Sequence, residues 1–278
     1  MYYYNMSGHE FFTDTDFDQY RTLIYNECGI HFTSTNRSIL ESRLKECLRE
    51  KNIDSVKAYY SLITSDQAEL KSFLDSVTTN LTRFFRNEAN FEALQHHVIP
   101  ELMNVKRATG NSVIRIWSAG CSTGEEPYTV AMLMTEVLPP GWKCEIIASD
   151  LSLKCLMSAK EGFYSDSRIA GIPDNYLKKY FEKVDGGYKI HPDIQSKIRF
   201  DYHNLKNDSG HRNMDIVFCR NVIIYFDEPT QVAVINKFWD AMAPKSFLFI
   251  GHSESLFGMN TKFEFVKTQW STLYRKYI

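Results

Sequence analysis

The sequence predicts an α/β fold: a doubly wound, mainly parallel sheet, with a separate all-α domain ahead of it and a small antiparallel insertion within it. Three observations carry that reading. Up to about residue 78 every apolar stripe has helical spacing. From about Ser112 short apolar runs alternate with helical segments, the pattern of parallel strands covered on both faces. Residues 182–200 then break the alternation around a Gly-Gly pair.

Taken in order, Phe17, Tyr20, Leu23 and Ile24 mark a first helix that Gly29 can close in the left-handed conformation. Ile39, Leu40, Leu44, Cys47 and Leu48 mark a second. Asp54 is placed to cap a third, which carries Val56, Tyr59, Tyr60 and Ile63. Asp66 and Glu69 have capping-box spacing ahead of Leu70, Phe73, Leu74 and Val77. These helices form an all-α domain over residues 1–78, and residues 79–278 form the larger domain. In that domain SVIRIWSAG, KCEIIASD, MDIVFCRN and SFLFIGH read as buried strands. PYTVAMLMTEVL and LSLKCLMSAKEG read as helices, and KFEFVKT with STLYRKYI as a terminal antiparallel hairpin.

Composition narrows the function. Lys plus Arg number 32 against 34 Asp plus Glu, a net charge of -2, which argues against binding nucleic acid or an anionic membrane by bulk charge. No apolar run reaches the roughly 18 residues of a membrane span. The opening MYYYNMSGHEFF lacks the basic and apolar regions of a signal peptide, so a cytoplasmic protein is expected. The six cysteines are scattered with no C-x-x-C pair, and the eight histidines include no H-E-x-x-H, so neither disulfide nor metal is expected.

In an open parallel sheet, ligands sit beyond the carboxyl ends of the strands, where strand order reverses. That rule selects Ser118–Pro127 after the first strand, Asp150 at the end of the second, and Cys219–Phe226 after the strand MDIVFC. Each has a plain structural reading beside the functional one. Gly120 and Gly124 also suit a tight turn, Asp150 a helix cap, Asn221 a turn and Tyr225 a core aromatic. Together, at successive strand ends, they favour a nucleoside cofactor. With no G-x-G-x-x-G present, S-adenosylmethionine is favoured over a dinucleotide. Asn80, Thr82 and Arg86, beside the pair Phe84-Phe85, suit either a pocket wall or an interdomain link.

The segments NLTRFFRNEANF, WSAGCSTGEEPYTVAML, ASDLSLKCLMSAKEGFY, FDYHNL, IVFCRNVIIYFD and FIGHSESL, in this order, resemble the CheR-type chemoreceptor methyltransferases over nearly the whole chain. The resemblance implies an S-adenosylmethionine-dependent methyltransferase fold, with an all-α N-terminal domain that docks the receptor and a small β insertion. It implies methyl transfer to glutamate carboxylates of chemotaxis receptors, giving glutamyl methyl esters and S-adenosylhomocysteine for sensory adaptation. Carried over by motif, cofactor contacts fall on Asn80, Thr82, Arg86, Ala119, Glu125, Asp150, Asn204, Leu205, Arg220 and Asn221, with Arg86 and Tyr225 nearest the transferred methyl. The second helix, with Arg37, Arg43, Lys45 and Arg49, matches the family's receptor-docking helix; the plain reading is a solvated, mixed-charge face. The short link Lys183–Tyr188 leans toward a member that binds no receptor C-terminal pentapeptide, and a stand-alone monomer is expected. Because a glutamate with a pKa near 4.3 is already ionised at neutral pH, no general base is required.

Overall fold

Three of the four described α-helices ahead of Thr78 open on a side-chain cap. A computed structural model describes residues 11–278, which divide into two compact units between Thr78 and Thr79. In the first unit, α1 (Asp14–Cys28) opens on a capping box. Thr13 Oγ accepts from the Asp16 amide at 3.2 Å, and the Asp16 carboxylate accepts from the Thr13 amide at 3.0 Å. Gly29 closes the helix at φ 80°. Next come α2 (Arg37–Lys51), α3 (Val56–Ser65) and α4 (Gln67–Val77).

Three details differ from the sequence expectation. Ser55, not Asp54, caps α3, with its hydroxyl accepting from the Ala58 amide at 3.3 Å. Asp66 does cap α4, but the box is not reciprocal: the Glu69 carboxylate accepts from Tyr59 Oη at 2.9 Å and from Lys51 instead. Ile39 is 50% exposed, off the buried stripe of Leu40, Leu44, Cys47 and Leu48. The unit's core is aromatic. Tyr20 lies edge-on to Phe73 at 5.5 Å, and Tyr59 to Phe73 at 5.8 Å.

The second unit begins with a helical run that sequence reading leaves unassigned: α5 (Glu88–Ala93), a π-helical turn over Leu94–Val98, and α6 (Ile99–Arg107). The sheet follows. Parallel strands β1 (Val113–Ala119), β2 (Lys143–Asp150), β6 (Ile198–Tyr202), β7 (Met214–Cys219) and β8 (Met242–Ile250) are joined by antiparallel β9 (Glu264–Lys267) and β10 (Thr272–Lys276). Their order, β6-β2-β1-β7-β8-β10-β9, reverses between β1 and β7. The predicted terminal hairpin is therefore the antiparallel edge of the main sheet. Helices α7 (Glu125–Val137), α8 (Leu153–Glu161), α9 (Asp174–Tyr180), α10 (Pro192–Gln195) and α11 (Glu228–Ala241) lie on the connections between its strands.

Alternate residues of each strand feed two separate cores. Ile216 and Phe218 pack with Ile116, Phe249 and the α7 residues on one face; Val217 and Cys219 pack with Trp117, Leu248 and the α11 residues on the other. Both faces are thus covered, which is why the central strands read as continuous apolar runs.

The antiparallel insertion is real but displaced from residues 182–200. It consists of β3 (Phe163–Ser165), β4 (Phe181–Val184) and β5 (Gly187–Ile190), in the order β3-β5-β4. The IRF segment assigned to it is the start of β6, which pairs in parallel with β2 in the register Ile146↔Ile198. The sequence cue there is a Gly-Gly turn with little helical period, which does not separate a hairpin strand from the parallel edge strand that follows it. No helix among the described residues is long and apolar enough to cross a membrane.

Candidate functional site

The loops after β1, β2, β7 and β8 meet at the carboxyl edge of the sheet, around the point where strand order reverses. After β1 the chain turns sharply, with the amides of Gly120 and Cys121 both donating to the Ser149 carbonyl, at 2.8 and 3.0 Å. Gly120 has φ 83°, and a Cβ there would lie 2.5 Å from Val222 Cγ2. Only glycine lets the β7 loop approach so closely. Ser122 is also left-handed, at φ 48°, and its amide donates to Asp150 Oδ2 at 2.7 Å. Asp150 Oδ1 accepts from the Ser152 amide at 2.9 Å, so one carboxylate joins the loops after β1 and β2. The cap of α8 is Ser152, which accepts from the Cys155 amide at 3.0 Å. The helix-cap reading of Asp150 is thereby replaced by a loop-bridging one.

Asn80 enters through its carbonyl, which accepts from Ser122 Oγ at 3.1 Å. The segment after it is fixed by its aromatics. Phe84 is buried edge-on to Tyr164 at 4.8 Å and to Phe181 at 5.4 Å, while the Phe85 amide donates to Thr129 Oγ1 at 3.2 Å. Phe85 and Asn87 both have positive φ, 52° and 63°. For a residue as bulky as Phe85 such a backbone is held only by its surroundings. The Arg86 side chain folds back, Nη1 donating to the Leu81 carbonyl at 2.8 Å, and the Arg86 carbonyl accepts from Arg220.

Two adjacent carboxylates at the start of α7 are held differently. Glu125 is fully buried, paired with Arg168 and accepting from Thr123 Oγ1 at 2.8 Å. Burial pushes its carboxyl above the ordinary range, and Arg168 and Thr123 pull it back. Glu126 accepts from Ser118 Oγ at 2.7 Å and from Arg220 Nη1 at 3.1 Å. Arg220 is itself buried and lies over the Phe91 ring, 5.3 Å from its centroid. Desolvation lowers its pKa, opposed by Glu126. In the third loop, Asn221 stands at φ 60°, and its amide donates to the Glu254 carboxylate at 2.8 Å.

The site therefore draws together Asn80, Arg86, Ala119, Glu125, Asp150, Arg220 and Asn221. Ala119 is the buried last residue of β1. The others sit less centrally. Asn204 makes a local turn, its Oδ1 accepting from the Lys206 amide at 3.0 Å, and Leu205 packs against the core on the Trp117 face. Thr82 is partly buried on the segment between Leu81 and Phe84. Tyr225, half-buried, ends a 3₁₀ turn over Ile223–Tyr225. Sequence reasoning did not single out Arg168, Glu126 or Glu254. Glu254 lies in FIGHSESL, where a carboxylate just after a strand end was the available signal; nothing local marks Arg168.

The chemistry of the donors fits a nucleoside that carries an amino-acid end. Asp150 is an acceptor-only group at a strand end, and Arg220 keeps a buried Nε–H with no hydrogen-bond partner among the described residues. An acidic ligand group would satisfy that donor, which is otherwise costly to bury. Among the described residues no cluster of three or more His, Cys, Asp or Glu is arranged to hold a metal ion.

Comparison with known proteins agrees. Residues 80–272 match the family model "CheR methyltransferase, SAM binding domain", and residues 15–78 match "CheR methyltransferase, all-alpha domain". The chain is 36% identical over 253 residues to a chemotaxis protein methyltransferase of Borreliella burgdorferi, covering 88% of this chain and 89% of that one. It is 33% identical to chemotaxis protein methyltransferase 2 of Vibrio cholerae, over 95% of this chain and 93% of the relative. The Escherichia coli chemotaxis protein methyltransferase is 32% identical over 90% and 88%. S-adenosylmethionine is thus the cofactor, and the chain belongs to the CheR family of S-adenosylmethionine-dependent chemotaxis methyltransferases.

Proposed function

We propose that the protein methylates glutamate side chains on the cytoplasmic helices of chemotaxis receptors, forming methyl esters that reset receptor signalling during adaptation. The observation that carries this reading is the state of the carboxylates around the strand ends. Asp150, Glu125, Glu126 and Glu254 are each already bound by amides, hydroxyls or guanidinium groups. All four are thereby committed to holding loops and neighbouring side chains, and an acceptor that is itself an anion needs no general base.

When bound, S-adenosylmethionine would supply a methyl group on a positively charged sulfur, open to displacement by an anionic oxygen with S-adenosylhomocysteine as the leaving group. The protein's share is placement and exclusion of water. Asp150 and the Gly120–Gly124 turn hold the nucleoside, with Ala119, Asn204 and Leu205 beside it. Arg220 and Asn221 bind toward the amino-acid end, together with Asn80, Thr82 and Glu125. Arg86 and Tyr225 border the methyl, Arg86 orienting a carboxylate and Tyr225 shaping the wall. The all-α unit docks the receptor through α2, and the enzyme works in the cytoplasm as a monomer. The β4–β5 link is only Asp185-Gly186, which supports a member that takes no C-terminal receptor pentapeptide.

The test is transfer of labelled methyl from S-adenosylmethionine to membranes bearing the organism's chemoreceptors, followed by mild alkali. Label released as methanol establishes a carboxyl methyl ester. Stable label, or none transferred, overturns the reading.

A further inference from the structure

We infer that Glu254 is a positioning residue for methyl transfer, its single carboxylate clamping the loop after β7 to the loop after β8 and so setting where Asn221 and Tyr225 stand. The inference rests on the reading above, in which those two residues border the cofactor. Four backbone amides converge on this side chain. Oε1 accepts from Val222 at 3.0 Å and Ile224 at 3.3 Å, and Oε2 from Asn221 at 2.8 Å and from Gly251. An ionised carboxylate offers about four lone-pair sites, so its capacity is filled by backbone alone.

The loop cannot satisfy those amides itself. Its own turn takes up only the next two, with Tyr225 N–H donating to the Val222 carbonyl at 3.2 Å and Phe226 N–H to the Ile223 carbonyl at 3.1 Å. Asn221, at φ 60°, turns the chain so that the amides of 221, 222 and 224 face one point. Glu254 fills that point from the opposite loop, where its own amide donates to the Gly251 carbonyl at 3.0 Å. The contact also explains Gly251: a Cβ there would lie 2.5 Å from Glu254 Oε2 and 2.8 Å from Asn221 Nδ2. From the other side Gln231 Nε2 donates to the carbonyls of Ile223 and Phe226, at 2.9 and 3.0 Å. The wall that carries Tyr225 is thus gripped by two side chains, and only Glu254 is an anion. Burial raises its pKa while the four amides lower it, in keeping with a carboxylate kept for its acceptor strength.

Glu254→Gln tests this. The amide keeps one acceptor oxygen and sets an NH2 group against two N–H donors, so one pair of bonds is lost. Expected is a kcat lowered about tenfold or more, with S-adenosylmethionine affinity falling by a smaller factor, because Asp150 is held independently of Glu254 while Asn221 is not. Amide hydrogen exchange in the protein without receptor should accelerate at Asn221, Val222, Ile224 or Gly251 and not along β1. If Glu254→Gln does not fold, Gly251→Ala, which displaces the carboxylate without removing it, should give the same split. An unchanged kcat, or a kcat and cofactor affinity that fall together in step with the melting temperature, overturns the clamp. A wild-type enzyme that esterifies no receptor would instead overturn the acceptor assignment, and the exchange pattern would still decide the role of Glu254.

Discussion

Glu125 shows how one buried charge at the site depends on a residue far along the chain. Its carboxylate is fully buried, and its principal counter-charge is Arg168, 43 residues away on the loop after β3. Burial alone favours the protonated acid, so the folded pKa lies above the unfolded one. A carboxyl raised in this way costs stability in its ionised form. The cost is absent below the unfolded pKa, near 4.5, and is complete once pH has risen through the folded value. Arg168→Met removes the cation and raises the folded pKa further. The melting temperatures of wild type and variant should therefore be close near pH 4.5 and diverge as pH rises to 8, as calorimetry across that range can read. A constant difference at every pH would mean that Arg168 contributes packing alone. The same residue explains a limit of sequence reading. Gly120, Gly124 and Asp150 were legible because strand, turn and strand end are set by neighbouring residues. Arg168 and Glu254 act across 43 and 33 positions, and only the folded topology brings them in.

At the scale of elements the same division holds. The capped helices and apolar central strands could be read, since cap chemistry and burial on both faces are written locally. The small sheet was misplaced because β3 has three residues and pairs with β5 across a loop, a helix and β4, while the edge strand β6 follows the Gly-Gly turn without a helical period to set it apart. That small sheet also supports the site. Tyr164 of β3 donates from Oη to the Thr123 carbonyl at 2.7 Å, bracing the turn ahead of Glu125. The joint is tight at Gly187, where a Cβ would lie 2.3 Å from the Tyr164 carbonyl oxygen and 2.9 Å from Ser165 Cα. Both are backbone atoms, so neither can rotate away. Gly187→Ala should therefore destabilise by about 1–3 kcal/mol, the ordinary cost of overpacking, and weaken cofactor binding through Tyr164. A urea melt and a calorimetric titration with S-adenosylhomocysteine read the two effects. A melt shifted without loss of affinity would separate the small sheet from the site.

At the scale of the molecule, a catalytic unit of one family model and a helical unit of another lie in one chain, and the proposed division of labour assigns chemistry to one and receptor docking to the other. The four α2 cations assigned to docking, Arg37, Arg43, Lys45 and Arg49, are not equivalent. Arg37 is engaged within its own unit: it pairs with Asp14, donates to the Phe12 carbonyl, and lies over the Phe12 and Phe17 rings at 5.6 and 5.5 Å. Lys45 pairs with Glu41 at 2.7 Å, and Arg43 with Glu46 at 3.3 Å, in solvent-exposed pairs. Pairs of that kind are worth about 0–1 kcal/mol and are readily exchanged for a partner's carboxylates. Receptor methylation regions rich in glutamate would offer such carboxylates. The expected separation is therefore clear. Arg37→Ala should lower the melting temperature, since it removes packing as well as charge. Arg43→Glu combined with Arg49→Glu should leave the melting temperature nearly unchanged and raise the KM for receptor about tenfold or more, the effect of losing charge complementarity at an interface. Its affinity for S-adenosylmethionine should stay at the wild-type value. The KM effect should also shrink as salt is added, because exposed charges more than about 10 Å apart are screened at 0.1 M ionic strength. A receptor KM that does not move in the double charge reversal would remove α2 from the docking surface, while leaving the chemistry of the strand-end site as described.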